Sequence, residues 1–323
     1  MAGRLLRAGV LLAFLALAWW MLRGLDAAHV WRTLILARPG WIVVASALNL
    51  GAVLLQAARW QALLRPLSDA VTLGSAFKSA VVGTAVSMVV PARAGELARA
   101  HWLASRTGLP RASILGTILL DYLMNAAGMM IGLALLSIFL PIPSWIRRGT
   151  TFVLLAFVVG AALVFAAHAE ARPSGPSRWL PAWLVGVVAR AQHGLTAARH
   201  PRALSRSLAA SLAAWALEIV VIEMTFKAVG LRLPVSAAFF VLLAVNLALA
   251  LPFAPPGNVG TLEVGATLAL VGFGVPKEQA LAFGIVYHVL QVVPIGFLGL
   301  LFSARAVRSG PSALPEAQSR PPA

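Results

Sequence analysis

Long stretches of this chain contain no Asp, Glu, Lys or Arg. There are 20 such residues between Arg38 and Arg59, 25 between Asp121 and Arg147, and 21 between Arg148 and Glu170. A further 30 lie between Arg232 and Glu263, and 26 between Glu278 and Arg305. A bilayer core takes about 20 helical residues, so stretches of this length predict spanning helices. The composition agrees: 60% of the 323 residues are apolar and only 11% are charged, whereas a soluble domain carries about a quarter charged residues. Cysteine is absent, which excludes disulfides and thiolate chemistry. The net charge of +16 is spread between the apolar stretches, a pattern of membrane-facing loops rather than a nucleic-acid groove.

Spans are predicted at about 5–22, 41–58, 114–140, 149–168, 207–226 and 279–303. The first follows Arg4 and Arg7 and precedes Arg23, without a convincing small-x-small site, and reads as an uncleaved helix rather than a secretory signal. Two stretches, 79–99 and 237–274, are apolar but broken by Pro and Gly clusters. Freed backbone at membrane depth is tolerated only where it is buried in protein or lines a wet cavity, so both predict re-entrant helical hairpins. With the N terminus inside, 16 Lys and Arg fall inside against 8 outside, and the positive-inside rule supports cytoplasmic termini. The basic loop 170–206 contains an amphipathic stretch at 183–200 that predicts an interfacial helix. Residues 309–323, rich in Pro, Ser and Ala, predict a disordered tail on a single domain of residues 1–308.

Gly108, Leu109, Pro110 and Arg111 reappear as Gly274, Val275, Pro276 and Lys277, and Pro91 to Gly95 aligns with Pro256 to Gly260. Each half, about 75–140 and 237–303, therefore reads as a broken hairpin, a short turn and a long helix. Three predicted spans separate the hairpins, which turns the second half upside down relative to the first. Inverted repeats with discontinuous helices characterise secondary transporters whose substrate site lies at the repeat interface.

The segments VVPARAGELARAHWLASRTGLP and PFAPPGNVGTLEVGATLALVGFGVP, with AARWQALLRP before them, resemble the transmembrane region of the lysylphosphatidylglycerol synthase/flippase family over about 5–308. The first family motif is matched by Pro91, Arg93, Gly95, Glu96 and Arg99. The second is matched by Pro252, Pro256, Gly257, Gly260 and Glu263, with Asn258 replacing a glycine. Two departures stand out: Asp121 precedes Tyr122 where the family usually has an acidic-Arg pair, and His288 stands where an Arg is frequent. The resemblance implies a multi-pass protein of a bacterial inner membrane, the flippase-like half without a synthase domain. Its partners would be a phospholipid or lipid-linked substrate and a separate synthase or glycosyltransferase.

Ionisable residues inside membrane helices cost a few kcal/mol each and usually face a cavity or one another. Arg93, Glu96 and Arg99 are three apart and predict an Arg-Glu-Arg ladder with one net positive charge, suited to a phosphate. The competing reading places Arg99 at the headgroup boundary and makes Glu96 a mere counter-ion. The turn at Pro256, Gly257, Asn258 and Gly260 predicts a helix N-terminus offering backbone N–H groups to an anion, with Glu263 either in the site or only a dipole partner. Asp121, Glu218, Glu223 and His288 are weaker candidates for a proton relay or a satisfied polar core. Arg59 with Trp60 reads as an anchor at the inner boundary. P-loop, nucleophile-elbow and zincin motifs are absent and the His residues are scattered, so neither an enzyme, a metal nor another cofactor is expected. Reporter fusions test the topology: a fusion at Arg148 is expected to report outside and one at Arg199 inside, and the opposite pattern overturns the arrangement.

Overall fold

The computed structural model describes residues 23–90, 94–139, 193–249 and 255–308, together with Ala16 and Trp19. Apart from those last two residues, the predicted span at 5–22 lies outside the described residues, as do 149–168, loop residues 170–192, Pro91, Arg93, Pro252 and the tail. Throughout the described residues the fold is helical. Four helices are long and apolar enough to cross a membrane: α2 (Pro39–Leu64), α5 (Arg111–Phe139), α6 (Pro201–Ala228) and α9 (Lys277–Arg308). They account for four of the six predicted spans. The other helices are α1 (Ala27–Ile35), α3 (Leu73–Val89), α4 (Ala94–Thr107), α7 (Val235–Leu249) and α8 (Thr261–Val271). Large apolar side chains such as Val43, Val89, Phe297 and Leu300 are exposed on the outer surface, as a polytopic membrane protein requires.

Local chemistry sets the helix ends. Asp26 caps α1 by accepting from the Ala28 and His29 N–H groups at 2.9 and 3.3 Å, and Thr72 caps α3 by accepting from Ser75 N–H at 3.1 Å. Proline occupies the first turn of α2 and of α6, where a missing N–H costs nothing. These two long helices are antiparallel, and at one end the Arg38 N–H donates to the Ala228 carbonyl at 2.8 Å. The predicted interfacial stretch behaves differently where it is described: a 3-10 turn at Thr196–Arg199 packs Ala197 and Leu195 against Leu63 and Leu120.

Both predicted hairpins form as packed helix pairs, α3 with α4 and α7 with α8. Their arms of 17, 14, 15 and 11 residues rise about 1.5 Å per residue and so fall short of a hydrocarbon core of about 30 Å. The arms approach through glycine. A Cβ on Gly95 would lie 2.1 Å from the Gly83 carbonyl oxygen and 2.0 Å from Ser87 Oγ, and one on Gly265 would lie 3.0 Å from the Ala244 carbonyl oxygen. The repeated tetrapeptides share a backbone as well as a sequence: Gly108 (φ 71°) and Gly274 (φ 79°) are both left-handed, and α5 and α9 start at the basic residue that follows the proline.

Each hairpin leans on the long helix of the other half. Phe77 and Val81 of α3 pack with Ile295, Leu298 and Phe302 of α9, while Phe239 of α7 packs with Met130 and Leu133 of α5. Gly95→Ala is expected to cost about 1–3 kcal/mol by overpacking, since backbone on α3 cannot yield. Gly132→Ala, with nothing within 4 Å of the new methyl, should leave stability unchanged. Thermal unfolding of the two variants in detergent measures the difference.

Candidate functional site

Where the hairpins meet, a cavity of about 530 Å³ opens among α2 to α9. Polar side chains line it in two groups. The first is built on α2, α4 and α5. Arg59 is buried, and its Nε donates to Asp121 Oδ1 at 2.7 Å while another of its nitrogens donates to Asn125 Oδ1. Arg99 reaches the other oxygen of the same carboxylate at 3.3 Å, stands 3.6 Å from Glu96 and lies flat over the Trp60 ring, 3.6 Å from its centroid. Trp60 is held in turn by its Nε1–H donating to Thr117 Oγ1 at 3.1 Å. Tyr122 donates its hydroxyl to Glu96 Oε1 at 2.5 Å. Two arginines and two carboxylates thus form one quartet, and Arg99 Nε and Glu96 Oε2 have no hydrogen-bond partner among the described residues.

The second group stands on α6, α8, α9 and the turn between α7 and α8. A 3-10 turn at Pro256–Asn258 places Gly257 (φ 65°) and Asn258 (φ 60°) in left-handed backbone, followed by Gly260 (φ 82°). Glu263 accepts from the Gly260 N–H at 2.8 Å through Oε2 and lies 2.6 Å from His288 Nδ1 through Oε1. His288 Nε2 is 2.9 Å from the Gly257 carbonyl oxygen, which only accepts, so Nε2 carries a proton. A second proton must then lie between His288 Nδ1 and Glu263 Oε1. Beside this pair, Glu218 Oε1 accepts from the Tyr287 hydroxyl at 2.5 Å and from the Gln291 amide.

Set against the predictions, the structure brings Glu96, Arg99, Asp121, Glu218, Gly257, Asn258 and His288 to one cavity. Pro256, Gly260 and Glu263 shape the turn at its edge. Arg93 lies outside the described residues. One reading needs correction. Arg59 and Trp60 are not boundary anchors, because α2 continues to Leu64 and carries both into the bundle, 6% and 0% exposed. Asp121, a residue from the next helix that spacing within one helix cannot reveal, joins Glu96 in neutralising Arg59 and Arg99. At the turn before α8, Glu263 takes the Gly260 N–H and the Pro255 carbonyl takes the Asn258 N–H at 2.8 Å. Glu223, five residues beyond Glu218 on α6, does not line the cavity. Arg99, for which the boundary was an alternative, is internal.

The departures noted in the sequence also acquire structural content. Asp121 does pair with arginine, but with Arg59 and Arg99 from other helices, and Tyr122 serves Glu96 instead. Asn125 and Gln291 escaped sequence reasoning, although each stands one turn along from an ionisable residue, Asp121 or His288, in an otherwise apolar stretch.

Over residues 6–299 the sequence matches the family described as the lysylphosphatidylglycerol synthase TM region. The chain belongs to this family. It is also similar to a UPF0104 membrane protein from Methanothermobacter thermautotrophicus, 32% identical over 94 residues, which are 29% of this chain and 28% of that relative. The aligned part thus spans well under a third of the relative's length. No solved structure matches the chain.

Removing one partner of a buried ion pair leaves the other uncompensated, at about 3–5 kcal/mol. Arg59→Met is therefore expected to lower the unfolding temperature in detergent strongly, and adding Asp121→Leu should cost much less than the sum of the two single changes. A double-mutant cycle by thermal unfolding checks this; additive losses would show that the contact carries no coupling.

Proposed function

We propose that this protein moves an anionic or lipid-linked headgroup between the leaflets of a bacterial inner membrane, with both termini cytoplasmic and its two halves inverted relative to each other. One observation carries the reading: a cavity holding an arginine-carboxylate quartet lies at the meeting point of two broken hairpins, inside a body whose outer surface is apolar. Membrane lipid work is also what the family's name indicates.

Arg99 is the residue best placed to receive a phosphate. Its guanidinium is oriented by the Trp60 ring, is held to Asp121 at 3.3 Å and keeps an unpartnered Nε. A phosphate oxygen offers what Asp121 now supplies, and a planar fork binds it in two places. Asp121 then retains Arg59, so departure of Arg99 does not strand the carboxylate. Arg93, by its motif position three residues before Glu96, would add a second cation from the hairpin break. Glu218 and the Glu263–His288 pair supply a proton-bearing surface on the opposite wall.

Purified protein in liposomes containing a fluorescent phospholipid tests the reading. The parent should carry headgroups across the bilayer without chemical change. Arg99→Lys keeps the charge but loses the fork, and Arg93→Lys does the same at the break; each should slow transfer at least about tenfold with folding intact. Formation of a new lipid product would favour a membrane enzyme. Inertness except with an added synthase or glycosyltransferase would favour a scaffold. Full transfer in both variants would remove the two arginines from the site.

A further inference from the structure

A second pocket, of about 490 Å³, opens where the C-terminal end of α2 lies beside the N-terminal end of α6. Arg65, Arg202, Arg206 and His200 stand around it, and no Asp or Glu lines it among the described residues. Arg202 and Arg206 are four apart and share a face of α6, while Arg65 closes α2 at its C-cap. None of these three arginines makes an ion pair among the described residues. All three are exposed. Between them the lining is Gln61 and Pro66 together with Ala58, Ala62, Ala203 and Ala210, whose short side chains leave an alanine furrow between the two helices.

The position argues for the occupant. Both helices are candidate membrane spans, and their basic ends mark the level where a span meets the headgroups. α6 starts without a side-chain cap, so the positive end of its dipole adds to the same field. A soluble anion would use the arginines but not the alanine furrow; an apolar chain would use the furrow but not the arginines. A phospholipid with a net negative headgroup satisfies both. We infer that the Arg65, Arg202 and Arg206 pocket is a binding site for one anionic phospholipid, its phosphate among the arginines and an acyl chain along the alanine furrow. This site is separate from the central cavity and stands whether or not the protein transports lipid.

Native mass spectrometry of the full-length protein in detergent, titrated with phosphatidylglycerol or with phosphatidylcholine, reads the site directly. The parent should retain one phosphatidylglycerol under activation that strips phosphatidylcholine. Each arginine near a headgroup is worth about fivefold in affinity, so Arg65→Gln with Arg202→Gln and Arg206→Gln should weaken phosphatidylglycerol binding roughly a hundredfold. A control triple, Arg23→Gln, Arg32→Gln and Arg232→Gln, removes three exposed cations elsewhere and should bind like the parent. Equal loss in both triples would reduce the effect to net charge and overturn the site. Thermal shifts with inorganic phosphate add a second arm: stabilisation by phosphate equal to that by phosphatidylglycerol would make this a free-anion site and overturn the lipid assignment. Ala203→Leu keeps every charge and fills the furrow. It should lose phosphatidylglycerol while phosphate binding persists, and unchanged lipid retention in a folded Ala203→Leu would overturn the proposal even where the arginine triple fails to fold.

Discussion

The carboxylate of Asp121 is the point on which the interior depends. Placing two guanidiniums in a low-dielectric bundle is affordable only with a counter-charge in good geometry, and Asp121 supplies it: Arg59 reaches both carboxylate oxygens and Arg99 shares the second. It thereby ties α2, which carries Arg59, to α4, which carries Arg99, through α5, on which it sits. Trp60 and Thr117 reinforce the same joint from the apolar side. Without this bridge, Arg99 of the first hairpin would keep only Glu96, at 3.6 Å, as a counter-charge.

The second wall is assembled on a different principle. Its acidic groups are held by neutral donors and by a shared proton rather than by arginine: Glu218 by Tyr287 and Gln291, Glu263 by His288 and the Gly260 N–H. One side of the cavity is organised by opposite charges and the other by hydrogen bonds. A ligand spanning it meets two unlike surfaces, which gives the space a polarity that the sequence-level repeat of the halves does not share.

Much of the fold was legible in the sequence because hydrophobic thickness is a length, and lengths can be read. Uninterrupted apolar stretches marked α2 and α9, apolar stretches carrying Asp121 or Glu218 and Glu223 marked α5 and α6, and the Pro and Gly clusters marked both hairpins. The tetrapeptides ending at Arg111 and Lys277 marked the start of each long helix. The site was legible only as a set of ionisable residues. Arg59 was misplaced because the end of an uncharged stretch is not the end of a helix: α2 carries on for five residues past it. Pairing across helices was hidden altogether, since the partners Arg59 and Asp121 are 62 positions apart and no periodicity connects them. Glu223 shows the converse, being an ionisable residue on the right helix but turned away from the cavity.

The exchange of support between halves bears on how the chain is made. Ala85 on α3 and Gly299 on α9 approach so closely that a methyl on the glycine would sit 2.4 Å from the alanine Cβ. The ribosome completes α3 long before it reaches α9, so the first hairpin enters the bilayer with its final packing surface still missing. It must wait there with its polar quartet already assembled from α2, α4 and α5, all of which emerge early. Charge neutralisation is thus local in synthesis order and closure of the bundle is not: α5, the last helix of the quartet, ends at Phe139, whereas α9 begins only at Lys277.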